Sequence, residues 1–482
     1  MWSVSTGQII TVSKGNPGKE MDEEAVKNAW YLGQRGEHEC WLTRTEDGPK
    51  SFVRRDDWQV VEVDRNLVVQ SRLELPMSRL CEVVVARKID DRADVILVDS
   101  SDSRGLTLMG VQVDLDSMRL RNHKIDTLAH YDIDPKDRSY VWGASSSSSD
   151  YMGVLVVLQK TKARQYAAEA VVYDSEMEEF WRREYAVGST SSMGVSDAGE
   201  MVTLGYDGED DGVHFTINVL GRKSSDSYGM TMECDRIRYM QIVDIRNRKV
   251  QCAGLFSPLT SDPKEKMIGG TVSMMFDMDS TTVTRFLVRP FQNEDVNILV
   301  NKKTKKVQHD QEAPMVTPLA FARMPYGIVM AVGHRHVLRY KNANGTRETS
   351  YYAQGIHLEA FDETGNIMWS RNIRRNDMQK DSDEKLYIAL FSSGDDVCLV
   401  KSENRKYPSG YDIAKEAKEF ELGDKCNLVM YKVSVDGEVS KTILEQKTKH
   451  SLVSAAKRGE GNVVMLTLDG AKSRMVDMKI EQ

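Results

Sequence analysis

Short segments of alternating apolar and polar residues run from one end of the chain to the other. Trp58–Val63, Leu106–Val113 and His214–Leu220 show the period of two that marks strands with one buried face. The densest apolar run, Tyr151–Leu158, reads as a buried strand. It falls well short of the roughly 18 apolar residues of a membrane helix. Helical composition is confined to Lys19–Tyr31, Asp412–Phe420 and a possible single turn at Asp262–Met267. The rest of the pattern predicts β-structure.

One unit recurs within that pattern: an apolar strand, a polar turn near Asp or Asn, then a second alternating strand. Its turns fall at Asp64, Asp114, Asp174, Asp244, Asn301, Asp362 and Asp436, at intervals of 50 to 74 residues. Asp, Asn and Gly suit tight hairpins because they cap the turn or accept positive φ. Seven units in 482 residues give about 69 residues each, the size of a four-stranded blade with generous loops. Blades arranged in a ring bury their faces on one another and leave only short edges, as in a β-propeller. Tandem β-sandwiches would carry linkers, and no Pro/Gly/Ser linker stands at a plausible boundary. The expected fold is therefore all-β: residues 1–482 as a single propeller of about seven four-stranded blades, with six or eight as alternatives. The long gap between Asp174 and Asp244 leaves room for a further unit around Gly221. Strands from Val463–Ile480, paired near the N-terminus, would close the ring.

Composition changes this picture little. Lys plus Arg number 65 against 73 Asp plus Glu, a net charge of −8, which argues against a nucleic-acid surface. The six cysteines (Cys40, Cys81, Cys234, Cys252, Cys398, Cys426) form no C-x-x-C and have no zinc-finger spacing with His, so buried small hydrophobes are expected. The 25 Met are expected to fill irregular gaps between blades. The first ten residues lack the basic and apolar regions of a signal peptide. Two compartments remain open: the cytoplasm, or an exported chain whose signal peptide has been removed.

Tyr351–Gln379 resembles a segment of uncharacterised secreted or envelope propeller-like proteins of Bacteroidota. The positions that carry the resemblance are Gly355, Asp362, Gly365, Ile367, Trp369, Ile373 and Gln379. Leu399–Asn404 keeps the turn that follows in those proteins only in part. Within the same stretch, Ala360–Trp369 also resembles a pyrroloquinoline-quinone-type repeat, in which the Trp docks between blades. The resemblance implies export, to the periplasm, the cell surface or the medium. It implies no activity, and one such hairpin implies the fold rather than the cofactor.

Candidate chemistry is sparse. His334 and His336 share one face if their segment is a strand, and two imidazoles so spaced can bind a metal or act as acid and base near neutral pH. Arg335 lies between them. Arg374, Arg375 and Asp377 follow the Trp369 strand, where arginines could hold carboxylates, sugars or a partner protein. These six residues are the candidate ligand- or partner-binding set. Asp207–Gly212 is carboxylate-rich but lacks the EF-hand register, and it reads as a hairpin tip. Asp132–Asp137 and Asp277–Ser280 have the same explanation. The Ser145–Ser149 and Val187–Gly194 stretches lack G-x-S-x-G, and no nucleotide-binding glycine motif occurs. Tryptophans beyond the N-terminus are expected in blade packing. No catalytic residue, cofactor or metal site is assigned.

The first expectation for function is a non-enzymatic binding or scaffolding propeller of a bacterial envelope, with a protein or glycan partner and no transmembrane segment. The alternative is a propeller enzyme acting on a glycan through carboxylates and His at the channel mouth. A quinone-dependent dehydrogenase stands behind both.

Overall fold

The computed structural model describes residues 9–16, 29–44, 58–77, 80–101, 105–123, 125–133, 138–160, 165–186, 190–209, 212–232, 236–257, 267–299, 313–314, 316–341, 346–380, 383–405, 420–421, 425–459, 462–469 and 472–481. They form eight blades, each a sheet built on four antiparallel strands, and a separate two-stranded sheet of Met267–Ile268 with Ala313–Pro314. Blade two adds the short strand Arg119–Leu120, and Phe420–Glu421 pairs parallel with the outer strand of blade six. In chain order the blades span 30–74, 81–132, 138–186, 192–232, 236–290, 316–380, 388–448 and 451–481. The eighth takes its outer strand from the other end of the chain. Ile9–Lys14 pairs antiparallel with Lys472–Glu481, from Ile9 opposite Glu481 to Lys14 opposite Val476. The first strands of successive blades touch one another around the whole circuit, the eighth meeting the first. They line the axis of a β-propeller.

The blade count is eight rather than seven, within the wider range expected from the sequence. Five expected turns, at Asp64, Asp114, Asp174, Asp362 and Asp436, join third to fourth strands. Asp244 does not mark a turn, because it lies inside the first strand of blade five, Arg236–Arg246. That blade turns instead between Gly270–Asp277 and Thr282–Pro290. Blade four turns at Gly221–Ser224, where Gly221 N donates to Ser224 O across 2.9 Å. Blade eight has no such turn, since its fourth strand comes from the N-terminal end. Asn301 lies outside the described residues.

The repeated Asp has a definite mechanical role. Asp64 Oδ1 accepts from the backbone N–H groups of Asn66 and Val68, at 2.7 and 3.0 Å. Asp174 does the same for Glu176 and Glu178, and Asp362 for Thr364 and Asn366. In each, the residue three beyond the Asp has positive φ: Leu67 at 57°, Met177 at 63° and Gly365 at 83°. This is a type I turn closed by a left-handed residue, whose N–H groups the carboxylate satisfies.

The apolar faces form a series of clusters, several of which span the seams between neighbouring blades. Trp41, Trp58, Trp181 and Trp369 are buried there, whereas Trp30 is exposed. Trp181 Nε1 donates to Gly199 O of the next blade at 2.7 Å. Five of the six cysteines are buried and free; Cys234 lies outside the described residues.

The helical expectations fail where they can be read. Trp30–Arg35, Phe420–Glu421 and Met267–Ile268 are strands, and the rest of those three segments, save Ala29, lies outside the described residues. A helix occurs instead at Asn293–Leu299, in a stretch whose apolar residues looked strand-like. It starts because Asp295 Oδ2 accepts from Gln292 N at 2.9 Å, satisfying an N-terminal donor. Among the described residues, no helix is long and apolar enough to cross a membrane.

Candidate functional site

Hairpin turns between strands one and two, and between three and four, lie on one face of the ring. The opposite face carries the links between blades and the loops between strands two and three. Blade six departs from its neighbours on that second face. Its last three strands, Gly327–Lys341, Arg347–Asp362 and Ile367–Lys380, have 15, 16 and 14 residues. Its inner strand, Val316–Met324, pairs only as far as His334, and its outer strand stops at Lys380 opposite Ser350. Past His334, among the described residues, the last three strands continue without the inner one as a ribbon that is three-stranded as far as Leu338, Ser350 and Lys380 and two-stranded beyond, where Arg339–Lys341 pair with Arg347–Thr349. Val337 and Leu338, adjacent and hence pointing to opposite sides, are 45% and 49% exposed. Arg339 and Lys341 follow, and Arg347 pairs in register with Lys341.

All six sequence-derived candidates stand at the base of this ribbon, divided between its faces. His334, buried, has Nδ1 3.0 Å from Gln354 Oε1 and packs its ring on His336 at a centroid distance of 5.1 Å. His336 stacks in parallel on Tyr352 at 4.6 Å. Burial and the neighbouring His336 push the His334 imidazole down to about 4, against the opposing pull of Gln354, and burial alone lowers His336. Neither ring is charged at neutral pH. Among the described residues, no group of three or more His, Cys, Asp or Glu could hold a metal.

Arg335 points the other way, with Arg375 and Asp377. Arg375 Nε donates to Asp377 Oδ2 at 2.7 Å, and Nη2 to Leu386 O at 2.6 Å. Both Arg375 and Asp377 are buried, in the seam where Ala353 and Leu386 meet Cys426 of blade seven. Arg374 is half-buried beside them. The two arginines occupy a bulge where the register jumps from Asn376–Gln354 to Ile373–Ile356. Gly355 sits opposite with φ 56°, and a Cβ there would lie 2.3 Å from Ile298 O of the helix. Only glycine fits so close an approach at that φ.

The acid side of the pH scale should expose the cost of burying His334. Its folded pKa lies below the ordinary imidazole value near 6.5. The associated stability is complete above about pH 6.5 and falls as pH drops towards 4, because the unfolded chain takes up the proton first. Integrated, that is about 3 kcal/mol. His334→Asn should flatten this part of the profile in urea titrations from pH 7 to 4.5. Equal losses in both proteins would refute the assignment.

The sequence did not indicate a second cluster, between blades five and six and the helix. Asn372 Oδ1 lies 2.8 Å from His357 Nδ1, and Asn372 Nδ2 donates to Asp295 Oδ1 at 2.7 Å. Arg289 Nη1 lies 3.1 Å from His357 Nε2 and 2.7 Å from Glu359 Oε1. Thr271 Oγ1 donates to Glu359 Oε2. Burial pushes the Asp295 carboxyl up, but hydrogen bonds from His357, Asn372 and Gln292 N–H outweigh it and hold it well below the usual range. His357, Glu359 and Asp295 are buried, so the cluster fastens two blades.

Other buried charge pairs lie within single blades: Arg87 and Asp94 at 3.0 Å in blade two, and Lys401 and Glu403 at 3.4 Å in blade seven. Near the turn face, Arg323 of blade six reaches Asp244 of blade five at 2.5 Å and donates to Ser147 Oγ of blade three, also at 2.5 Å. The serine-rich loop is thus a hairpin turn, Ser146 Oγ accepting from Tyr151 N at 3.1 Å. Asp207–Gly212 joins the middle strands of blade four, with Asp210 and Asp211 outside the described residues.

No family model matches this chain, and no curated protein does so. Among solved structures, it is similar to the polysaccharide lyase Uly1 at 8% identity and TM-score 0.38, covering 82% of this chain and 89% of that one. It is similar to the acylaminoacyl peptidase of Pyrococcus horikoshii at 13% identity and TM-score 0.34, covering 68% of this chain and 43% of the peptidase. The β-propeller domain of the Trilobed protease from Pyrococcus furiosus, described as having an open velcro topology, gives 12% identity and TM-score 0.26, over 70% and 93% of the two chains. At these scores, the activities named carry no argument here. The propeller assignment stands on the chain's own sheet topology.

Proposed function

We propose that this chain is a non-enzymatic binding or scaffolding propeller of a bacterial cell envelope, and that it engages a protein partner through the blade-six ribbon. The observation that carries the reading is the ribbon itself. Two adjacent apolar residues, Val337 and Leu338, stand about half exposed on its two sides, with Arg339 and Lys341 beyond them. Exposed apolar side chains framed by charge are characteristic of protein contact surfaces. Because each is already half covered, their removal from water on binding would contribute about 1 kcal/mol each.

The buried ionisable groups support the same reading. Arg375–Asp377, Asp295–His357 and Arg87–Asp94 are already engaged with one another, whereas an acid/base site needs groups within reach of a substrate proton. The envelope location rests on the resemblance of Tyr351–Gln379, a segment that contributes to two strands of the ribbon, to Bacteroidota propeller-like proteins. Arg335, His336 and Arg374 at the ribbon base would contribute to the contact, while the buried His334, Arg375 and Asp377 would hold the base in shape.

Affinity enrichment from an envelope extract tests this, with the double variant Val337→Ser/Leu338→Ser alongside the wild-type chain and a glycan panel assayed in parallel. The expected result is one protein enriched by the wild type and reduced at least tenfold by the variant. Glycan cleavage with no variant-sensitive partner would favour the enzymatic alternative.

A further inference from the structure

Blades two and three do not close fully along their seam. Near the ends of strands Met152–Lys160 and Gln165–Tyr173, they leave a cavity of about 480 Å³. That volume falls within the range of small-molecule sites. Val156, Leu158 and Ala167 supply an apolar side, Tyr131 of blade two an aromatic wall, and Glu169 and Glu184 the polar groups. On the face of strand three that meets blade two, Ala167 is a small residue two positions from Glu169, and the strand's other alanines, Ala168 and Ala170, face blade four.

Among the described residues, carboxylates outnumber cations at the cavity. Glu169 and Glu184 lie directly opposite each other on neighbouring strands, with Val156 next to Glu169 on the third. Opposed like charges on one face are destabilising. Glu169 receives hydrogen bonds from Tyr131 and Arg182, and Arg182 Nε also donates to Glu179 at 2.9 Å. One guanidinium thus serves two carboxylates. Glu184, exposed, has no ion-pair partner among the described residues.

We propose that this cavity binds a small organic cation, a primary ammonium or guanidinium with a compact apolar body. The cationic head is held by Glu184 and Glu169 beside the Tyr131 ring, an arrangement that adds cation–π attraction to the ion pair. The body lies on Val156, Leu158 and Ala167. An anion would meet two carboxylates, and a neutral ligand would leave the charge excess in place. The site is separate from the ribbon and does not depend on how the ribbon is used.

Titration calorimetry on the full chain tests this, with 2-phenylethylammonium as the probe and 2-phenylethanol as its neutral counterpart. The ammonium should bind at least tenfold more tightly than the alcohol. Glu184→Gln, at an exposed position, should weaken it about tenfold, and Leu158→Trp should abolish binding by filling the cavity. The proposal is overturned if the two probes bind equally, if neither variant changes the affinity, or if the ammonium does not bind at millimolar concentration.

Discussion

A chain lacking residues 1–15 should lose the cooperative unfolding of the intact ring and elute as a larger or aggregated species. Ile9–Lys14 is the whole outer strand of blade eight, and its six register pairs join one end of the chain to the other. Its Ile10 and Val12 pack against a cluster containing Met465, Met478 and Ile480. Both are partly buried, so losing those contacts removes about 2–4 kcal/mol of apolar burial. It also bares Lys472–Glu481 as an edge strand, a template for pairing with another chain. Comparison of thermal melts and size-exclusion profiles checks the effect. An unchanged melt and a monomeric profile would mean that the terminal strand is an ornament on an already closed ring.

Asp295→Ala should destabilise the protein by about 3–5 kcal/mol, the usual result of removing one member of a buried, hydrogen-bonded charge cluster. The carboxylate caps the helix through Gln292 N and accepts from Asn372, while Arg289 Nη2 stands 3.5 Å away. Without it, His357 loses a neighbour 3.3 Å from Nδ1, and the Arg289 charge is balanced by Glu359 alone. Asp295→Asn should recover part of the loss, since an amide oxygen still caps the helix. Urea denaturation of the three proteins reads this out, and a loss below about 1 kcal/mol in the alanine variant would contradict it. Because the folded pKa of Asp295 is depressed, its contribution is present above the unfolded carboxylate value and disappears as pH falls through the folded one.

The ring was legible in the sequence because its turns are chemically explicit. Asp64, Asp174 and Asp362 must each satisfy two backbone N–H groups in a tight hairpin, and that need places an acceptor at a fixed point. The eighth blade was obscured because Gly221–Ser224 turns without such an acceptor, and the last blade borrows its outer strand from the opposite end of the chain. Asn293–Leu299 was missed because its apolar residues also suit a short strand; the capping Asp295 was the one local sign of a helix.

The candidate site was legible in part. The alternation at His334–Arg339 correctly put the two imidazoles on one face. It could not show that Arg375 and Asp377 turn into the seam with blade seven, because burial there depends on Leu386 and Cys426. The partnership of Asp295 with His357, 62 residues apart, and that of Arg323 with Ser147, 176 apart, leave no local signature. Such contacts exist only once the blades are set side by side.

The central claim, that the ribbon is where this propeller meets a protein partner, is tested most directly by site-specific photocrosslinking in the native envelope. A photoreactive phenylalanine analogue would replace Val337 or Leu338, with exposed Val68 and Leu80 on the ring as controls. The account predicts one discrete protein adduct from both ribbon positions and none from the controls. No adduct at the ribbon, or the same adducts at all four positions, would contradict it.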